Sequence, residues 1–224
     1  MTRARVGVAI LLATALAPAA MAGLDQETQN ESFGFPLSPG AAVISFDKFD
    51  DLGGLRVLEQ VTMRLDGFIG AEVTAENDSV IPAPDFGVSI GGFMSINFDS
   101  LAAALGFDRT FLTDGSVTPS DGVQGSGTDF WDFGTVSDSG FETDSTTTGL
   151  SAFVGPGTID ANISAAGGFS VVGSTDSTMV LNNFRAEGTV SVLYEYSVVP
   201  GPGAAAFLML GGGIGLGRRR RRSA

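Results

Sequence analysis

The stretch FGVSIGGFMSINF, Phe86–Phe98, decides the fold, because Phe86, Val88, Ile90, Met94, Ile96 and Phe98 all fall on one parity. Small or polar residues take most of the other parity, with Phe93 the exception. An apolar side chain at every second position marks a half-buried strand; a helix would repeat every three or four. The same period runs through GTVSVLYEYSV, where Val190, Val192, Tyr194, Tyr196 and Val198 alternate with Thr189, Ser191, Leu193, Glu195 and Ser197. TIDANISA sets Ile159, Ala161, Ile163 and Ala165 on one side, and AAVISF is a further short candidate. Punctuated by glycine and by proline-containing turns, these segments predict an all-β fold, an antiparallel β-sandwich.

Three stretches read differently. In LRVLEQVTMRLDGF, Leu55, Val57, Val61, Met63 and Leu65 fit a strand, while Leu55, Leu58, Val61 and Leu65 fit a helix nearly as well; the surrounding strands favour strand. Asp99–Gly106, DSLAAALG, reads as a short helix with an Asp or Ser cap and a glycine stop. Residues 113–149 are rich in Ser, Thr, Gly and Asp without a Lys or Arg, and predict a long loop or loose hairpin.

Composition excludes several chemistries. The chain has no cysteine and no histidine, so it offers no disulfide, no thiol nucleophile and no imidazole base or metal ligand. Between Gly23 and Val199, Lys48, Arg56, Arg64, Arg109 and Arg185 stand against all 25 acidic residues, a balance of −20 (5 − 25). Such a surface repels nucleic acid and anionic lipid headgroups.

The two ends carry addresses. Arg3 and Arg5, the apolar Val6–Ala17, and Ala20 and Ala22 flanking Met21 form a signal peptide over residues 1–22, with cleavage before Gly23 by signal peptidase after passage through the secretion machinery. At the other end, VVPGPGAAAFLMLGGGIGLGRRRRRSA joins an extended Pro-Gly segment to an apolar run and five arginines. Ala204–Leu216, 13 residues, spans only ~20 Å as a helix, short of the ~30 Å hydrocarbon layer of a bilayer. It suits a transient membrane hold better than a permanent transmembrane helix, with Arg218, Arg219, Arg220, Arg221 and Arg222 on the cytoplasmic side. Pro200 and Pro202 keep Val199–Gly203 extended and open to cleavage.

This tail, residues 200–224 preceded by Val199, resembles a PEP-CTERM sorting signal. The likeness rests on Val199, Pro200, Gly201 and Pro202, the apolar Ala204–Leu216 and the arginine cluster; Gly201 stands where the commonest form has Glu. The resemblance implies processing by an exosortase-like enzyme, with the chain as its substrate. The body, residues 23–199, resembles the choice-of-anchor E domain, through Phe49, Asp50, Gly54, Leu55 and Val57 near its start and Tyr194-Glu195-Tyr196 near its end. That family implies a β-rich fold and a surface location, and brings no established activity, catalytic residue or cofactor.

Candidate chemistry gathers in DFWDF, Asp129–Phe133, around the single tryptophan. Trp131 flanked by Asp129 and Asp132 suits either a sugar-binding platform or an aromatic anchor fixing a loop to the core. Asp121, Asp129 and Asp132, with Asp114, Asp138, Glu142 and Asp144 nearby, are weak calcium candidates; the EF-hand and β-roll spacings are both missing. No catalytic residues, cofactor-binding residues or firm metal ligands are expected. The expected function is an exported, non-enzymatic structural or adhesive protein of the cell surface or exopolysaccharide matrix. The alternatives are a carbohydrate- or calcium-binding lectin-like module and, more remotely, an extracellular glycosidase.

Overall fold

The structure, a computed structural model, describes residues 23–199; the expected signal peptide, with Ala20 and Ala22, and the expected tail from Pro200 to Ala224 lie outside the described residues. Eight strands follow in chain order: β1 (Asp25–Pro36), β2 (Gly40–Asp47), β3 (Arg56–Asn77), β4 (Gly87–Phe98), β5 (Leu101–Leu112), β6 (Phe130–Thr146), β7 (Thr158–Val172) and β8 (Ser177–Val198). A 3₁₀ turn, Leu150–Phe153, precedes β7. The strands build two four-stranded sheets, β1-β8-β3-β6 and β2-β7-β4-β5, with every neighbouring pair antiparallel. The fold is the β-sandwich that the alternation predicts.

Parity carries through to burial. Phe86, Val88, Ile90, Met94, Ile96 and Phe98 are fully buried, while Phe93 is 55 % exposed. They share one core with Val61, Met63, Leu65 and Ile69 of β3 and with Val190, Val192 and Tyr194 of β8. Burying each large aliphatic side chain stabilises by about 1.5–3 kcal/mol, so a core of this size holds without disulfides.

The helix expected at Asp99–Gly106 is not there. Asp99 and Ser100 are instead the two-residue turn of the β4–β5 hairpin, with Phe98 paired to Leu101 and Asp99 at φ 54. Leu101, Ala103, Leu105 and Phe107 then alternate inward along β5. Pairing with β4 overrides the helical preference of the alanines.

The loop expected over 113–149 holds only to Asp129. Phe130–Thr146 is a 17-residue edge strand paired with β3 from Val61↔Thr146 to Glu76↔Phe130. Of its side chains only Val136 is buried, so main-chain pairing rather than an apolar stripe fixes it, and periodicity could not reveal it. The ambiguous stretch that opens at Leu55 is strand from Arg56 onward, with a register shift between Leu58 and Gln60. That bulge exchanges the faces: Val57 is exposed, and Leu58 and Val61 are both buried. The helix-like spacing of Leu58 and Val61 is thus the trace of a bulge.

The two edge strands β5 and β6 run side by side. Asp144 Oδ2 accepts from the Ala102 amide at 3.0 Å, and Asp138 Oδ2 from the Asp108 amide at 3.1 Å. Carboxylates thereby occupy amides that an edge strand would otherwise offer to another chain.

Candidate functional site

Residue pairing across β8, β3 and β6 brings glycines into one row, because Gly67 of β3 lies opposite Gly188 of β8 and opposite Gly140 of β6. Gly67 faces the other sheet, where an added Cβ would stand 2.6 Å from Leu105 Cδ1 and 2.8 Å from Met94 Sδ. A Cβ on Gly188 would press on the Asp66 carbonyl oxygen and stand 2.6 Å from Phe33 Cζ. Without a Cβ at Gly67 the sheet approaches Met94 of β4 and Leu105 of β5 closely along this row.

A groove of about 700 Å³ lies there, lined by Asp66, Phe68, Phe141, Glu187 and Thr189 around the glycines. That volume is within the ~300–1,000 Å³ range of ligand clefts. Phe68 sits opposite Glu187 and Ser139, and Asp66 opposite Thr189 and Phe141, so all six side chains share the outer face. Phe141 is 59 % exposed.

Each aromatic is backed by an arginine that is itself paired. Arg64 clamps Asp66 with both Nε and a terminal nitrogen, each at 2.7 Å, and its guanidinium lies 4.0 Å from the Phe141 ring centre. Arg185 Nε donates to Glu187 Oε1 at 2.7 Å, and its guanidinium lies 5.5 Å from the Phe68 ring centre. The Arg64 clamp holds the Asp66 carboxyl below the usual carboxylate range. In a body of charge balance −20 the groove is neutral: two of the five cations answer two acids.

The residues singled out in the sequence fall elsewhere, and the structure divides them. Trp131, 36 % exposed, is the second residue of β6, with Phe133 at 6.5 Å between ring centres and Phe86 beyond Phe133 at 6.3 Å. Asp132 is exposed and turns back to accept from the Gly134 amide at 2.8 Å. Asp129 is fully buried, so it cannot flank an exposed sugar platform with Trp131. Asp121 and Asp129 do meet: Asp129 Oδ2 accepts from the Asp121 amide at 2.7 Å. Asp132 does not join them as a third calcium ligand, and among the described residues no three His, Cys, Asp or Glu form a group able to hold a metal ion.

Asp138 and Asp144 are the edge carboxylates already described. Gly23 and Val199 are exposed, and the Val199 amide donates to the Leu55 carbonyl at 2.9 Å. Among the described residues no helix is long and apolar enough to cross a membrane; the short apolar helix expected at Ala204–Leu216 lies outside them.

The groove residues escaped the sequence reading because they come from three strands far apart in the chain. A signal for them exists in Arg64-x-Asp66 and Arg185-x-Glu187, two Arg–acid pairs at strand spacing, the first of them two residues before Phe68.

No family model matches the chain, and no curated protein matches it. Among solved structures it is similar to that of the infectious bursal disease virus Gx strain at 12 % identity and a TM-score of 0.19, over 93 % of this chain and 56 % of that one. A VP2 subviral particle of the same virus is similar at 13 % identity and a TM-score of 0.11, over 88 % and 48 %. The chain spans about half the length of these structures, and likenesses this slight carry no argument about its function.

Proposed function

We propose that the chain is an exported, non-enzymatic structural or adhesive protein of the bacterial cell surface or exopolysaccharide matrix, and that its groove holds a neutral polysaccharide strand. The observation that carries this reading is the pair of phenylalanines, Phe68 and Phe141, set on either side of a glycine row with both neighbouring charge pairs closed. Apolar ring faces take the C–H surface of a pyranose, and planar carboxylate and guanidinium groups take its hydroxyls. An anionic chain would meet a body of balance −20 and be repelled, which favours a neutral glycan.

Export and delivery rest on the two terminal signals: removal of residues 1–22 by signal peptidase, then transient membrane association through the tail until an exosortase-like enzyme cuts near Pro200–Gly203.

Affinity electrophoresis in gels cast with neutral or uronic-acid polysaccharides tests the groove. Retardation is expected in a neutral gel, with Phe141→Ala binding about tenfold more weakly, the equivalent of roughly 1.4 kcal/mol, and Trp131→Ala unchanged. Equal retardation of the Phe68→Ala/Phe141→Ala variant and the native chain would sink the assignment.

A further inference from the structure

Among the described residues two buried side-chain atoms lack a hydrogen-bond partner, Arg56 Nε and Asp129 Oδ1. Arg56 is accounted for, since its terminal nitrogens bind Glu27 and the Asp50 carbonyl and its plane lies against Phe49 and Tyr196. Asp129 is not: its side chain is a fully buried carboxylate with one oxygen unanswered. Buried charges are paired or bind cations, because a bare charge in a low-dielectric interior is strongly unfavourable. The ion pairs among the described residues are Arg56–Glu27, Arg64–Asp66 and Arg185–Glu187, and none reaches Asp129.

What Asp129 Oδ1 faces is a second carboxylate. A Cβ placed on Gly127 would stand 2.6 Å from Asp129 Oδ1 and closer still to Asp121 Oδ2. The two oxygens are therefore at most 5.2 Å apart (2 × 2.6), across a gap that exists because residue 127 is glycine at φ 104. Two oxygens that share one calcium ion, each about 2.3–2.6 Å from it, lie no farther apart than that. The remaining oxygens are committed to organising the loop: Asp121 Oδ1 accepts from the Val123 amide and Asp129 Oδ2 from the Asp121 amide, both at 2.7 Å. Glu76, also buried, accepts from the Gly125 amide at 2.7 Å and adds a third negative charge beside the same loop. Neighbouring buried polar groups are satisfied by contrast; Asn77 Nδ2 donates to the Ile81 and Thr118 carbonyls and its Oδ1 accepts from Ser174.

We infer that the loop Asp121–Asp129 binds one calcium ion between Asp129 Oδ1 and Asp121 Oδ2, with loop carbonyls and water completing an oxygen-only shell. Asp121 is exposed, which gives the ion a way in from solvent. A glycine-rich loop tolerates calcium's irregular coordination better than the strict octahedron that magnesium requires. The bound ion fastens the loop to the end of β3, where the Asn77 amide already donates to the Asp129 carbonyl at 2.9 Å.

The test is a calcium titration of the full chain in mild detergent after stripping with EGTA, followed by calorimetry and by the thermal midpoint. One calcium per chain with millimolar or tighter affinity is expected, together with a rise in midpoint of several degrees. Asp129→Asn should abolish the response and leave the calcium-free midpoint unchanged or higher, because it removes the bare charge. Should that variant fail to fold, Asp121→Asn, on the exposed partner, should abolish the response alone, while Asp132→Asn retains it. A native chain indifferent to millimolar calcium, a response to magnesium alone, or undiminished responses in both the Asp121 and Asp129 variants would overturn the site.

Discussion

The hydroxyl of Tyr194, on β8 inside one sheet, donates to the main-chain carbonyl of Asp47, at the end of β2 on the edge of the other, at 3.1 Å. The same carbonyl accepts from Gln29 Nε2 at 2.9 Å, and the Asp47 amide donates to Gln29 Oε1 at 2.9 Å. Three strands from two sheets thus converge on the main chain of one residue. Tyr194→Phe removes a donor but leaves the carbonyl bonded to Gln29, so the expected loss is about 1 kcal/mol, read as a lower midpoint in urea. A loss above about 3 kcal/mol would mean that the ring itself is displaced.

Alkaline titration examines the same residue differently. Burial, then the charges of Glu27 and Asp47, push the Tyr194 hydroxyl up to about 12. The unfolded chain ionises its tyrosines near 10, so the folded state holds this proton more tightly. The associated stability is complete below about pH 10 and is lost as pH rises through about 12. Tyrosinate absorbance should show a component appearing only near that upper value, and Tyr194→Phe should lack it.

The glycine row predicts a ranking. In Gly67→Ala the new methyl meets the ends of Leu105 and Met94, which can yield; in Gly188→Ala it meets the backbone oxygen of Asp66. Expected losses are about 1–2 kcal/mol for Gly67→Ala and 3 kcal/mol or more for Gly188→Ala. Denaturation midpoints in the reverse order would remove the close-approach explanation for the groove.

The edge carboxylates predict a change in association rather than in stability. Asp138→Ala with Asp144→Ala frees the Ala102 and Asp108 amides on β5. Light scattering of the double variant should show a concentration-dependent rise in mass that the native chain lacks.

The mass of the C-terminal peptide of protein recovered outside the cell tests delivery. An end between Val199 and Gly203 is expected; an end at Ala224 would leave a membrane anchor in place of a sorting signal.

What could be read in the sequence depended on whether burial left a pattern. β4 was plain because both its neighbours pair with it and one face is wholly apolar. β6 was hidden because an edge strand with a single buried valine has no pattern to show. Helical preference at Ala102–Ala104 misled because it is weaker than pairing across a tight hairpin. The pairing of Asp121 with Asp129 was half visible as two acids bracketing a glycine-rich loop. Asp132 was wrongly joined to them because β6 begins at Phe130 and carries it away. The groove needed the register of three strands, which no local pattern contains.

The position of β8 also bears on how the domain resists being pulled. β8 ends at Val198, opposite Arg56, and is bonded to β3 over nearly its whole length and to β1 from Arg185 to Tyr196. Tension entering at Val199 runs along the strand axis, so both ladders are loaded in shear, many hydrogen bonds at once. A peeling load would break them one by one. An attachment through the C-terminal end therefore engages the sandwich in its mechanically strongest direction.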